Sequence, residues 1–395
     1  MKFTKKVMAA LMITASATTF AEGVEWSGFG SLYYSQAFDN NFLVGGADDN
    51  KPDYTQHSLF GLNVGSNISD NLSVASQIIM AGDSAQSTNF DMFAQWASLN
   101  YRVTDGLNVK VGRQLWPVLI SSEYQRVHYL LPQSNIPGTS YSLLPFVSFD
   151  GVSVNKNFET GIGGLTLGLY SGNPKLNTGG IPGVDLDFQT LTGLRATLDG
   201  SGWRLHATAN KIFSKIKVES ESYTATNVLV RTTGSAKTGS NVFSFGYRYD
   251  KHNFVSWGEA SYSKATDNQD LTLVTKVAAN GTTAATSTKK IFEKTYGGYV
   301  LAGYRFGNFL PTITYAQGRT LLGLPASAIN AKYEGKTESY IAGLAYSLHD
   351  QATLKFEYMR TYVPSIGGGW YDVVQSTTSQ KEYGDAVKAG IDFIF

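Results

Sequence analysis

Alternation of apolar and polar side chains at a period of two residues runs through most of the chain and restricts its fold more than any other feature. In "NVFSFGYRYD", Phe243, Phe245 and Tyr247 fall on one side of an extended strand, and Ser244 and Arg248 fall on the other. The same pattern is present at 60–65, 203–210, 296–306 and 386–395. This period is typical of strands whose two faces meet different environments. The sequence therefore predicts an all-β protein.

The connections between these segments alternate between short and long. Short turns are predicted at 66–71, 104–106, 159–164, 199–202, 250–253, 307–308 and 349–351. Longer loops are predicted at 39–56, 82–90, 115–145, 173–186, 218–239, 265–291, 319–336 and 364–382. Seven turns and eight loops join sixteen strands, and an even strand number with this asymmetry is typical of bacterial outer-membrane barrels. We expect a transmembrane antiparallel β-barrel of sixteen strands, with short periplasmic turns and long extracellular loops.

The composition fits a closed sheet in lipid. The chain has 22 Phe, 23 Tyr and 41 Gly but no Cys, and beyond the N-terminus no run of 18 apolar residues predicts a membrane helix. In lipid every backbone polar group needs an internal partner, so a sheet must close on itself. Aromatic residues near strand ends match the interfacial girdles of such barrels. Alternation by itself also allows a soluble β-sandwich, and we keep that as the alternative fold.

The N-terminus has the layout of a secretory signal peptide. Lys2, Lys5 and Lys6 precede an apolar stretch that is too short to span a membrane, and small residues follow. We expect residues 1–21 to be a signal peptide and 22–395 to be the barrel, located in the outer membrane of a Gram-negative bacterium. Removal of these three lysines changes the formal net charge from +1 to −2. A nearly neutral chain does not predict nucleic-acid binding.

Two stretches give the chain a resemblance to a known family. One is the C-terminal strand "AVKAGIDFIF", which ends in Phe395. The other is "VKVGRQLWPVLISSEYQRVHYLLPQSNIPGTSYSLLPFVSFDGVSV", a strand followed by a long third loop. Together with the sixteen-strand rhythm they resemble the Gram-negative porins, although the loop lacks the Pro-Glu-Phe-Gly-Gly motif of the general porins. The resemblance implies that Phe395 is a recognition signal for the barrel-assembly machinery, that loop 115–145 folds into the lumen, and that the protein is a homotrimer.

The third loop is the candidate constriction of a pore. A loop of this length is usually functional, and its many apolar side chains favour burial over disorder. An aqueous lumen is available inside a sixteen-stranded barrel. We expect Arg113, Glu123, Arg126 and His128 at the pore constriction, with Arg113 also counted among the inward cations unless a bulge intervenes at the loop. The alternative interpretation is that these charged residues are packing partners of the loop or solvated extracellular charges.

The polar face of the strands predicts a lumen with a surplus of cations. The expected inward charges are Arg102, Lys110, Arg195, Arg204, Arg248, Arg305, Lys355 and Lys388, with Glu259, Glu357 and Asp392 as the acids. Rings of charge and pore width set selectivity in channels, and inward cations raise the local concentration of anions. We therefore expect a mild anion preference. Five of these arginines lie within a few residues of predicted short turns, and their alternative role is to anchor the rim: Arg102, Arg195, Arg204, Arg248 and Arg305.

The leading prediction is a passive channel for small hydrophilic solutes and ions that needs no cofactor and no metal. The alternative within this class is a substrate-specific porin, with inward Arg and Lys for an oxyanion or Trp96, Trp257 and Tyr299 as a surface for sugars. An outer-membrane enzyme is another alternative, but the five histidines show no metal-ligand spacing. The last alternative function is a plugged structural barrel or adhesin, since the Thr-rich segment 272–290 suits exposure at the cell surface.

Overall fold

A computed structural model describes residues 23–38, 42–44, 52–82, 90–141, 144, 146–175, 184–223, 228–266, 270–277, 282–290, 294–321, 335–363, 369–370, 373–375 and 383–395. The predicted signal peptide lies outside the described residues. Most of the described chain is strand, and the seven predicted turns all occur at the expected places. Among the described residues, no helix has the length and hydrophobicity needed to cross a membrane.

Sixteen antiparallel strands form the wall. They are β1 (Val24–Ala37), β2 (Leu59–Ser69), β3 (Leu72–Ala81), β4 (Asp91–Thr104), β5 (Leu107–Leu115), β6 (Ser148–Thr160), β7 (Gly163–Lys175), β8 (Val184–Gly200), β9 (Trp203–Tyr223), β10 (Leu229–Lys251), β11 (Phe254–Ala265), β12 (Lys294–Tyr304), β13 (Phe309–Leu321), β14 (Gly335–His349), β15 (Ala352–Tyr362) and β16 (Tyr383–Ile394). Each strand pairs with its neighbours in sequence, and β1 also pairs with β16. The predicted sixteen-strand barrel is therefore confirmed.

The seam between β1 and β16 includes the last residue of the chain. The backbone N–H of Gly28 donates to the carbonyl of Phe395 at 2.8 Å, and the N–H of Phe395 donates to the carbonyl of Gly28 at 2.9 Å. The Phe395 ring lies over Gly28, which has no side chain to displace it. An end tied in this way does not fray as most chain ends do.

Two predicted loops contain regular structure. Segment 218–239 is mostly strand, because β9 continues to Tyr223 and β10 begins at Leu229. Within 265–291, Asp270–Val277 and Thr283–Lys290 form a hairpin, and its first strand pairs with Val230–Gly234 at the start of β10. These segments are rich in Thr and Val, whose branched side chains favour strands. We predicted loops there because the segments are polar overall. Phe42–Val44, Gly369–Trp370 and Val373–Gln375 form a separate small sheet that contacts the wall.

The two faces of the wall differ as the alternation predicts. Large apolar side chains such as Leu194, Phe245 and Ile313 are exposed on the outer face, where Ile313 is 70% accessible. Their neighbours Arg195, Ser244 and Thr312 point inward, and Ser244 and Thr312 are buried. An apolar exterior around a polar interior is the arrangement that lipid requires of a barrel.

Candidate functional site in the barrel lumen

Residues 116–147, called the inner loop below, leave β5 and pack against the inward side chains of the wall. At its two ends the rings of Trp116 and Phe146 stack with centroids 4.4 Å apart. Trp116 is 1% exposed and its Nε1 donates to Asn210 Oδ1 of β9 at 2.9 Å. Stacking of two large rings with a satisfied indole N–H stabilises a buried contact. This contact closes the base of the loop inside the barrel.

The next part of the inner loop is attached to β10 and β11. The carboxylate of Glu259 accepts hydrogen bonds from the backbone N–H of Ser121 at 3.1 Å and from its hydroxyl at 2.5 Å. Arg248 donates to the carbonyl of Ile120 at 3.1 Å. Its guanidinium also lies 4.2 Å from the ring centroid of Tyr124. Charged groups in such a buried position persist only when they are paired and hydrogen-bonded.

A second attachment joins the inner loop to β15 and β16. Glu357 accepts from the backbone N–H of Ser134 at 2.8 Å and also from its hydroxyl. Lys355 Nζ donates to the carbonyls of His128 and Gln133 at 2.6 and 3.0 Å, and it pairs with Asp392 at 2.7 Å. The Lys355 and Asp392 side chains are 1% and 0% exposed.

A third attachment uses Lys388 of β16. Its Nζ lies 2.8 Å from Asn135 Oδ1 in the inner loop and 2.9 Å from His57 Nε2. Arg248, Lys355 and Lys388 thus balance Glu259, Glu357 and Asp392 in charge. All six point inward, but the inner loop covers them, so they hold the loop in place and do not face water.

The aromatic surface expected for sugars is also covered in part. Trp257 and Tyr299 are 4% and 5% exposed and pack with Leu131 and Ile136 of the inner loop. They are therefore withdrawn from any solute in the lumen. Trp96 lies opposite Gln77 in the register of β3 and β4.

One charged pair of the inner loop faces water inside the barrel. Glu123 Oε1 lies 2.7 Å from Nη1 of Arg195 on β8, and the Glu123 side chain is 56% exposed. Burial within the barrel opposes ionisation of Glu123, but the positive charges of Arg195 and Lys110 outweigh it and lower its pKa to about 2. A carboxylate surrounded by the wall and yet accessible to water marks a solvent-filled passage beside β5–β8.

Arg195 is held in a fixed orientation. Its Nε and Nη2 donate to Asn155 Oδ1 of β6 at 3.2 and 2.9 Å. The side chain crosses Gly168, where an added Cβ would lie 2.6 Å from Asn155 Oδ1 and 2.7 Å from Arg195 Cγ. Gly168 is therefore required for the close approach of Arg195 to Asn155.

The other two loop residues predicted at the constriction lie away from this pair. The Arg126 guanidinium is 5.3 Å from the ring centroid of Phe93 on β4. His128 is 5% exposed, with its ring 5.9 Å from that of Tyr33. Glu123 thus pairs with a wall cation, whereas Arg126 and His128 lie against aromatic rings of β4 and β1.

Of the five arginines expected near the turns, three occupy the rim, whereas Arg195 and Arg248 contact the inner loop. Arg305 forms a bidentate pair with Asp250 at 2.5 and 2.7 Å, and Arg204 pairs with Asp199. Arg102 donates to the carbonyl of Asp70 at 2.5 Å. Pairing with acids and turn carbonyls gives these residues the anchoring role of the alternative interpretation.

Arg113 does not face the lumen, and its predicted place at the constriction was wrong. The register between β5 and β6 runs without a shift from Leu107 to Leu115, so no bulge reverses the alternation. Arg113 therefore shares the outer face with Val111. There it pairs with Asp150 at 2.9 Å.

Several residues of the site escaped sequence reasoning. Asn155 and Gly168 were missed because neither carries charge, although both are on the inward face by alternation. Ser121 and Ser134 were missed because their roles depend on the path of the inner loop. Asp199 and Asp250 are at strand ends, where the alternation is hardest to assign.

Two of the five histidines lie together, with the ring centroids of His57 and His128 6.4 Å apart, and the other three lie elsewhere in the barrel. His206 Nε2 lies 2.9 Å from the carbonyl oxygen of Pro117, and its Nδ1 lies 2.9 Å from the hydroxyl oxygen of Thr197. His252 and His349 lie at the turn end of the wall, at or beside the short turns. In the part of the chain that the structure describes, no group of three His, Cys, Asp or Glu side chains is placed to hold a metal ion.

Comparison with known proteins gives structural similarity without sequence similarity. No family model matches the chain, and no curated protein sequence matches it. The anion-selective porin from Comamonas acidovorans has 12% identity and a TM-score of 0.56, with 94% of this chain and 99% of that one covered. OmpF of Salmonella typhi, in complex with daunomycin, has 14% identity and a TM-score of 0.54, with 94% and 97% covered.

A trimer form of OmpT, an outer-membrane protein of Vibrio cholerae, is also similar. It has 12% identity and a TM-score of 0.53, with 94% of this chain and 99% of that one covered. At these identities the likeness establishes a shared fold, that of sixteen-stranded outer-membrane barrels. A shared fold at such low identity does not carry pore chemistry from one barrel to another, because that chemistry depends on the side chains of each wall.

Proposed function

We propose that this protein is a passive pore of the bacterial outer membrane for small hydrophilic solutes and ions, with a mild preference for anions. The observation that carries the proposal is the Glu123–Arg195 pair, which is inside the barrel and yet accessible to water. Beside it, Lys110 and Arg195 place two positive charges against one negative charge. Inward cations in a narrow passage raise the concentration of anions.

In this pore the inner loop sets the width and the wall beside β5–β8 sets the preference. The covered charges under the inner loop contribute little to selectivity, because they balance one another and are withdrawn from water. No step of the proposed activity requires a cofactor, a metal or covalent chemistry.

The proposal includes the cellular context. Residues 1–21 direct export, and Phe395 signals assembly to the barrel-assembly machinery. The exposure of the Phe395 ring on the outer face, together with its two hydrogen bonds to Gly28, supports this role. The trimer form of the similar OmpT supports a homotrimer in outer-membrane lipid.

Single-channel recording from refolded protein in a planar bilayer tests the proposed function. Stepwise conductance in KCl is the expected result. Folded protein without conductance would instead favour the plugged barrel, which the extensive contacts of the inner loop also suit. Hydrolysis of lipid or peptide by the same preparation would favour an enzyme.

A further inference from the structure

The passage beside β5–β8, together with the adjoining strand β4, is lined by amides and hydroxyls in addition to its few charges. Inward positions along the turn half of these strands hold Asn100, Asn108, Asn155, Asn157, Thr166 and Thr197. The register places Asn108 beside Asn155, and it places Asn157, Thr166 and Thr197 in one row across three strands. None of the six is buried. A solute in this passage therefore meets a continuous surface of polar, uncharged groups beside Lys110 and Arg195.

The contacts of Asn155 decide what its amide offers to a solute. A guanidinium only donates hydrogen bonds, so the atom of Asn155 that meets Nε and Nη2 of Arg195 is the oxygen. The Nδ2 hydrogens are then left for the lumen. In the same way Asn157 Oδ1 accepts from the Thr166 hydroxyl at 2.9 Å, which leaves its Nδ2 as a donor. The wall thus presents N–H donors beside a local surplus of one positive charge.

Three kinds of solute gain differently from such a wall. A neutral sugar finds hydrogen-bond partners but gains nothing from the charge. An aliphatic carboxylate gains from the charge, but its tail displaces water from amides without replacing the lost hydrogen bonds. A hydroxylated carboxylate gains from both the hydrogen-bond partners and the charge, because its hydroxyls accept from Nδ2 groups while its carboxylate faces Lys110 and Arg195.

We propose that the pore favours hydroxylated monoanions, the chemical class of the sugar acids, over other monoanions of the same size. The inference rests on the proposed pore function and deepens it. Gluconate and hexanoate are suitable probes, since both have six carbons and one negative charge and differ in their hydroxyls.

The test compares the permeability of gluconate and hexanoate relative to chloride, from reversal potentials at pH 7 with protein-free bilayers as the blank. Two net hydrogen bonds at the lower end of their usual strength predict an advantage of about fivefold for gluconate, after correction for free diffusion. The double variant Asn108→Leu/Asn157→Leu removes two amides and no charge, and it is expected to bring the two anions close to parity. Asn241→Leu, the same change on the outer face of β10, is the matched control.

Each outcome bears on a separate claim. Equal permeability of the two anions in the unaltered protein overturns the inference and leaves the chloride-conducting pore standing. An advantage for gluconate that persists in the double variant also overturns it, because the amides would not be its cause. Absence of channels in every salt would instead overturn the proposed function. Heat-modifiable migration on gels verifies that the double variant is folded.

Discussion

Replacement of Glu123 by Gln tests the assignment of selectivity to the accessible charges. Gln keeps the size of the side chain and an oxygen that can accept from Arg195, and it removes one negative charge from the passage. The balance beside the inner loop then changes from two cations against one acid to two cations without an acid. The expected result is a stronger preference for anions.

The size of the effect follows from Coulomb's law. An ion separated from the carboxylate by one layer of water is about 6 Å away, where two unit charges interact with about 0.7 kcal/mol in water. Screening in 0.1 M salt, with a Debye length of about 10 Å, reduces this to about 0.4 kcal/mol. The concentration of anions at this point then rises about twofold and that of cations falls about twofold, so the permeability ratio of chloride to potassium increases about fourfold.

The assay is the reversal potential across a KCl gradient, recorded for the unaltered protein, E123Q and the control Glu338→Gln. Glu338 accepts a hydrogen bond from Tyr315 on the outer face and has no contact with the passage, so its replacement should leave the ratio unchanged. A ratio that does not increase in E123Q would refute the assignment of Glu123 to the passage.

Three further predictions follow from the same geometry. Because the pKa of Glu123 is lowered to about 2, its charge is present above that pH. The difference in reversal potential between the unaltered protein and E123Q should therefore persist at pH 4 and fall to about half near pH 2, where half of the carboxyl groups are protonated. Glu259→Ala leaves Arg248 buried without its acid, which lowers stability by about 3–5 kcal/mol. The inner loop should then be loosened, so that conductance noise increases and trypsin cleaves the loop. Gly168→Ala displaces Arg195 from Asn155 and should lower the ratio of chloride to potassium permeability, measured against the unaltered protein.

The wall could be predicted from sequence because the signal for it is local. Alternation at a period of two fixes the face of every residue in a strand as long as the register does not shift. Lys355, Lys388 and Asp392 therefore fall on the inward face as expected. Arg113 went wrong by the same rule, since placing it inward required a bulge that β5 does not contain.

The division of the inward charges into covered and accessible groups was beyond sequence reasoning. Arg248 and Arg195 have equivalent positions by alternation, but the inner loop covers the first, whereas the second stays 18% exposed beside Glu123. That difference depends on contacts such as Ser121–Glu259 and Ser134–Glu357, between residues more than a hundred positions apart. Chain separation of this size leaves no pattern in the local sequence.

The most direct test of the central claim is the reversal potential of the refolded, unaltered protein across a KCl gradient in a planar bilayer. We predict stepwise channels whose reversal potential lies toward that of chloride, because Lys110 and Arg195 outweigh Glu123 in the accessible passage. Channels that favour potassium would contradict this account of the charges.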